Sequence, residues 1–454
     1  MAAIFSDVRA WLNPNVWRRA HHGSLRARFA RGAWWSTIAA GSSRAIMLLA
    51  AVVCGRVLGR TSFGELGMIQ STAGVFGVFA GFNLGITANR YLAELRSTDP
   101  QRAGRILALS SLAALCGGSL LALALVISAP YLAAHTLAAP QLARTLAISS
   151  GLIFFGAMNG VQAGALAGFE SFRDLARVNV WGGAAGFLLI TTGVRFGGVA
   201  GATCGYVGAA AVNWLIGHFI LRRKCAFYGI PRTLHRCLSE WPILLKFSAP
   251  AFLSSALLAP ALFACNAFLV HQPAGYSSLG IFTAADRWRV ALLFLPNSIM
   301  AMVFPMLFNL RGARNQQGFR RVFQANLAVN LAAVILPGAL IVVLSPLIMS
   351  AYGSAYREGW RVLAVLAVAA IPQCLNSVLG QTVVARSMWL RFAFDLMLTA
   401  ILISSAHLLI PRLGALGLAC ANFIAYTATT IGLAIFVAGK RSPLRDRAEE
   451  GTAA

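Results

Sequence analysis

Acidic side chains are scarce in this chain, with 13 Asp and Glu against 38 Lys and Arg in 454 residues. Charged residues of both signs make up only 11%, where a soluble domain carries about 25%. Too little polar surface remains to face water, and no stretch is left over for a soluble domain. The eight cysteines (54, 116, 204, 225, 237, 265, 374 and 420) lie apart, mostly inside apolar runs. They form no Cys-x-x-Cys pair for zinc and lack the density of a disulfide scaffold, so they read as packing residues. A Walker A loop, a metal-ligand cluster and a nucleophile motif are also missing, which argues against an ATP-driven engine or an enzyme active site. No cofactor or metal is expected.

Apolar sequence is what the chain has in abundance. Hydrophobic residues reach 58% and the mean hydropathy is +0.71. Runs of 20 or more apolar residues recur along the whole length, each long enough at ~1.5 Å per residue to cross a hydrocarbon core of roughly 30 Å. Spans are expected near 33–57, 63–88, 106–130, 145–167, 175–194, 199–221, 244–270, 278–308, 323–349, 360–384, 388–410 and 414–437. The fold class is therefore an all-α integral membrane protein of about twelve transmembrane helices. The organisation follows: a basic tail over 1–32, a first lobe over 33–221, a basic linker over 222–243, a second lobe over 244–437 and a tail over 438–454. The first run is too long for a cleaved signal and is read as a retained span.

The formal charge of +25 would suggest nucleic acid in a soluble protein, but the basic residues cluster between the spans. With the N-terminus inside, 28 Lys and Arg fall on the cytoplasmic side and seven outside: Arg56, Arg60, Arg144, Arg195, Arg357, Arg361 and Arg412. That bias places both termini in the cytoplasm. The most basic loop, from Arg222, Arg223 and Lys224 through Arg232 and Arg236 to Lys246, divides the chain into two six-span halves. It reads as an orientation signal beside anionic lipid, with no nucleic acid as partner.

The halves resemble each other weakly. Phe63, Gly64, Glu65, Leu66, Gly67 and Met68 match Tyr276, Ser277, Ser278, Leu279, Gly280 and Ile281, and Arg195, Phe196 and Gly197 match Arg412, Leu413 and Gly414. Six spans per half make this a parallel duplication about an axis along the membrane normal, with two lobes facing a central cavity.

Arg56, Val57, Leu58 and Gly59 followed by Phe63 and Gly64 form a turn similar to the Arg-x-Leu-Gly-x-x-x-Phe-Gly turn of the polysaccharide-transporter branch of the multidrug/oligosaccharidyl-lipid/polysaccharide exporter superfamily. That branch contains the Wzx-type O-antigen flippases. Leu84, Gly85, Ile86, Thr87, Arg90, Tyr91 and Glu94 continue the resemblance, as do Lys246, Phe247, Pro250, Leu279, Gly280, Tyr352, Gly353 and Tyr356. It covers nearly the whole chain. The resemblance implies alternating access between two lobes in a bacterial inner membrane, with undecaprenyl diphosphate bearing an oligosaccharide as cargo. O-antigen, exopolysaccharide or capsule-type synthesis is the implied pathway, and a polysaccharide polymerase and chain-length machinery are the implied partners besides membrane lipid.

Charges inside spans are the informative residues, because each costs roughly 2.5 to 3.5 kcal/mol on the insertion scale unless paired or in a watery cavity. Arg44 stands some 11 residues into the first span beside Gly41, Ala40 and Thr37, either lining the cavity or bracing carbonyls between helices. Asp286, Arg287 and Arg289 lie in the eighth span, where Asp286 and Arg289 at i, i+3 share a face. They are either a self-satisfied pair plus a snorkelling Arg287 or a cationic wall opposite Arg44. A guanidinium fork suits a diphosphate. For the sugar, Asn159 and Gln162 in the fourth span and Gln373, Asn376 and Gln381 in the tenth offer amides, with interhelical packing as the competing role. Arg90, with Arg96, Arg102 and Arg105, sits at the cytoplasmic mouth, where attraction of the headgroup competes with orientation.

A drug exporter of the same superfamily would need acidic groups for cationic cargo and protons. The membrane-region carboxylates are only Glu65, Asp286 and Asp395, the last within i, i+4 reach of Arg391. A membrane polysaccharide polymerase would need a sizeable outer loop with catalytic residues. Energy then comes from an ion gradient, the membrane potential or consumption of cargo downstream.

Overall fold

The computed structural model describes residues 25–231, 237–243, 249–300, 303, 316–384 and 388–439, and no strand occurs among them. The first half comprises α1 (Leu25–Gly81), α2 (Leu84–Leu95), α3 (Pro100–Tyr131), α4 (Ala143–Ile148), α5 (Ser150–Gly168) and α6 (Phe172–Phe227). The second comprises α7 (Ala249–Val270), α8 (Gly275–Leu292), α9 (Gln316–Ala351), α10 (Trp360–Val384), α11 (Met388–Leu413) and α12 (Ala415–Gly439).

Eight described helices are long and apolar enough to cross a membrane. Two of them, α1 and α6, each hold two passes, because Gly59 (φ 72, ψ 172) interrupts the first and Gly197 with Gly198 (φ 54) the second. Lacking a Cβ, glycine reverses the chain there at little steric cost. Together with α7 and α8, twelve passes result, as expected from the apolar runs. Several helices start earlier than the hydrophobic pattern suggests: α1 at Leu25, α3 at Pro100 and α9 at Gln316. Hydropathy marks where hydrocarbon begins, whereas a helix continues into the headgroups for as long as its ends are capped. At α3 the Asp99 carboxylate accepts the Arg102 amide at 2.9 Å.

The parallel repeat is visible in the backbone. Gly198 and Gly414 lie 216 residues apart with φ of 54° and 55°, which shifts by one residue the sequence match that paired Gly197 with Gly414. A Cβ on Gly201 would collide with the Gly193 carbonyl and one on Gly417 with the Leu409 carbonyl, again pairs displaced by 216. Both hairpins therefore close in the same way. One end of the bundle carries Gly59, Leu137, Gly198, Ala274, Tyr352 and Gly414; the opposite end carries Asp99, Ser171 and Tyr228.

The core runs through both halves, with Phe63, Leu66 and Ile69 of α1 in the same buried cluster as Leu279 and Ala284 of α8 and Leu363 and Leu366 of α10. Ile127, Leu336, Val343, Leu408 and Ile435 face outward, as a lipid-solvated surface requires. Within the basic linker expected over 222–243, described residues on either side of 232–236 are held against the first half. Lys224 meets Asp174 at 2.8 Å, and Glu240 accepts from Arg102 at 3.2 Å and Arg105 at 3.4 Å. The missing Cβ of Gly104 admits the Pro231 carbonyl. Arg232, Arg236 and Lys246 lie outside the described residues.

Candidate substrate path between the halves

The halves meet most closely where α1 crosses α8. A Cβ on Gly64 would collide with the Tyr276 carbonyl, and one on Gly280 with the Arg60 carbonyl. Each glycine thus receives the carbonyl four residues before the other, which places Gly64 opposite Gly280 across the two-fold axis. The sequence match paired Gly67 with Gly280; the contacts shift that register by three residues. Gly67 instead faces Thr283. Small residues allow this approach, as they do wherever helices associate in lipid.

Two tyrosines fasten the same end. The Tyr276 hydroxyl donates to the Leu137 carbonyl at 2.6 Å and the Tyr356 hydroxyl to the Gly55 carbonyl at 3.3 Å, each bond crossing between halves. Phe63, Tyr352 and Tyr356 pack ring against ring beneath them, with centroids 5.5 to 6.4 Å apart. The seam at the Gly59 end is shut.

Below it lie the charged residues. Arg289 is buried, ion-paired with Asp286 at 2.6 Å and hydrogen-bonded to Gln373, whose amide donates to the Tyr426 hydroxyl at 3.2 Å. This network ties α8, α10 and α12 within the second half. Arg287, two residues earlier, points the other way and donates to Gln70 of α1 in the first half. It is also within electrostatic reach of Cys54 and Tyr206 of that half. Among the described residues no carboxylate pairs with it.

Arg44 is exposed midway along the first pass and has no ion-pair or hydrogen-bond partner among the described residues. One turn before it, Gly41 lies against Phe294 of the eighth pass, so this face of α1 borders the seam. Arg44 is 15 residues from Gly59 and Arg287 12 from Gly275, which at 1.5 Å per residue puts them at similar depths of roughly 22 and 18 Å.

The amides are mostly engaged between helices. Asn159 of α5 donates to the Ala210 carbonyl of α6 at 3.0 Å. Asn376 of α10 donates to Thr429 of α12 at 3.2 Å and accepts from Arg391, which pairs with Asp395 at 2.6 Å. In both halves, then, an Asn fastens the fourth pass to the sixth. Gln162 is buried against Gly217 and its carbonyl oxygen has no donor among the described residues, as is true of Gln381. Near the Asp99 end, Arg90 is exposed, while Arg96 pairs with Glu170 at 2.7 Å and Arg102 and Arg105 hold Glu240. Gln70, Tyr426, Thr429 and Glu240 went unnoticed in the sequence, because their partners are distant along the chain.

The family described as polysaccharide biosynthesis protein matches residues 29–311. The chain belongs to that family. A curated relative, the EPS I polysaccharide export inner membrane protein EpsE of Ralstonia nicotianae, is 25% identical over 200 residues, which is 44% of this chain and 43% of that protein. The match therefore spans less than half the relative's length. A multidrug resistance MATE family transporter of the MOP superfamily in an inward-facing conformation superposes with a TM-score of 0.70, over 90% of this chain and 96% of its own, at 18% identity. Its outward-facing counterpart gives 0.67 over 92% and 96%, at 17%. A MOP superfamily transporter from Pyrococcus furiosus Vc1 (DSM3638), described as having a binding pocket of reverse polarity, gives 0.65 over 89% and 94%, at 15%. These likenesses show the two-lobed transporter fold. The curated relative is described as a polysaccharide export protein and the structural neighbours as transporters.

Proposed function

We propose that the protein moves an undecaprenyl-diphosphate-linked oligosaccharide across the bacterial inner membrane, from the cytoplasmic to the periplasmic leaflet, with the diphosphate held between Arg44 and Arg287. The observation that carries this reading is the difference among intramembrane cations. Arg289 and Arg391 are neutralised by Asp286 and Asp395, whereas Arg44 and Arg287 border the seam from opposite halves with no carboxylate partner among the described residues. A neutral amide such as Gln70 satisfies hydrogen-bonding capacity without cancelling charge, so Arg287 keeps its attraction for an anion. Two fixed positive charges in a low-dielectric seam favour an anionic cargo over the cationic drugs of related exporters.

In this reading the Gly59 end is periplasmic, both termini are cytoplasmic, and the shut seam is the inward-facing member of an alternating pair. Arg90 stands at the cytoplasmic mouth. Gln373 and Asn376 act as braces, leaving Gln162 and Gln381 as the candidate amides with an unfilled acceptor among the described residues. A polysaccharide polymerase and chain-length machinery would take the delivered units. The test is mass spectrometry of lipid-linked intermediates in a deletion strain. Completed repeat units confined to the cytoplasmic leaflet are the expected result; incomplete units, or a normal distribution, would sink the proposal.

A further inference from the structure

Four arginines at the Gly59 end remain unexplained by packing or by orientation. Arg56 and Arg60 flank the Gly59 turn; Arg357 lies on the turn leading into α10 and Arg361 in the first turn of α10. All four are exposed, and among the described residues none forms an ion pair, although Glu358 is exposed on the same turn. Arg361 lies over the Trp360 ring at 5.5 Å. The fold brings the two pairs to one place: Tyr356 is bonded to Gly55, so the residue before Arg357 is fastened to the residue before Arg56. Arg60 lies close enough to Tyr356 for its charge to act on the hydroxyl. The orientation rule depletes this end of cations, yet four of the seven placed there by the charge count occupy these two meeting turns.

Four arginines that outnumber the one neighbouring Glu358 and form no ion pair among the described residues call for an anion. At the level of the helix ends, the anions within reach are the phosphate esters of lipid headgroups, and guanidinium forks bind them through paired hydrogen bonds. We propose that Arg56, Arg60, Arg357 and Arg361 form a headgroup site on the outer face that takes a lipid diphosphate after delivery. The inference rests on the proposed cargo and orientation. Because the two pairs come from opposite halves, the site is complete only while this end is shut. An anion bridging them stabilises the shut state and so helps return the emptied transporter to face the cytoplasm. A bulk anionic phospholipid presents the same phosphate chemistry and is the competing occupant.

The test uses the purified full-length protein, with farnesyl diphosphate and a phosphatidylglycerol as probes and native mass spectrometry as the readout. Arg56→Gln with Arg357→Gln removes one charge from each half at exposed positions, and thermal unfolding checks that folding is kept. We expect a second, Arg44-independent farnesyl diphosphate to bind the wild type and to weaken roughly tenfold or more in the double variant, with the corresponding Lys pair intermediate. Unchanged binding of both probes in the double variant would overturn the site. An equal, parallel loss of phosphatidylglycerol and diphosphate would overturn delivered cargo as the occupant. Should phosphatidylglycerol alone depend on the two arginines while an Arg44-dependent farnesyl diphosphate still binds, this inference is overturned and the transport reading is kept; loss of the Arg44-dependent diphosphate alone would overturn the transport reading and keep the outer site.

Discussion

Arg287 and Arg289, two residues apart on α8, face opposite halves of the molecule: Arg289 into its own half against Asp286, Gln373 and Tyr426, and Arg287 across the seam to Gln70. Their replacements should part company. Arg289→Gln leaves the Asp286 carboxylate without its partner, at a cost of about 3 kcal/mol, and is expected to lower the amount of folded protein in the membrane. Arg287→Gln is expected to keep abundance and lose transport. Quantitative immunoblotting beside polysaccharide output checks both; a loss of abundance in Arg287→Gln would make it a brace as well.

Arg44 provides the matching test in the first half. Arg44→Lys retains a point charge without the fork and should keep partial transport, whereas Arg44→Gln should lose most of it at unchanged abundance. Binding of a polyprenyl diphosphate to the purified variants, with the neutral alcohol as control, gives the direct comparison. Equal affinity of wild type and Arg44→Gln would remove Arg44 from the path.

The crossing of α1 and α8 tolerates no side chain. Gly280→Leu must displace the Arg60 carbonyl, and so should hold the Gly59 end apart and abolish transport. Thiol labelling of a cysteine at Ser277, buried beside the crossing in the native seam, should rise in that background. Protection at the native level would mean that the crossing has repacked without opening.

Orientation is open to a simpler measurement. In a protein cleared of its eight native cysteines, Gln272→Cys should label from outside and Gln316→Cys only after the membrane is breached. Labelling of both from one side would end the twelve-pass arrangement.

The passes were legible because hydrocarbon demands some 20 apolar residues in a row, whatever the neighbours. Their pairing was less so. Gly280 was recognisable as a repeat position, but its partner emerged as Gly64 because helices in lipid are aligned by close approach and not by local sequence likeness. The i, i+3 pairing of Asp286 with Arg289 and the i, i+4 pairing of Arg391 with Asp395 could be read from spacing alone. Gln70 could not: nothing marks one amide in an apolar run until Arg287, 217 residues on, is brought beside it. The same holds for Glu240, whose partners Arg102 and Arg105 lie 138 and 135 residues earlier in the chain.

The glycine crossing also sets the mechanics. Gly64 and Gly280 each lie five residues past the turn that begins their pass, roughly 7 Å from that end of the helix, with about 23 Å of membrane beyond. A rotation about this fulcrum is a lever with a short arm and a long one. Each degree of tilt moves the far end by about 0.4 Å and the near end by about 0.1 Å. A rocking of some 20° would thus part the helices at the Asp99 end by about 8 Å while the crossing itself barely shifts, so that the widest aperture forms on the side where the proposed cargo would enter.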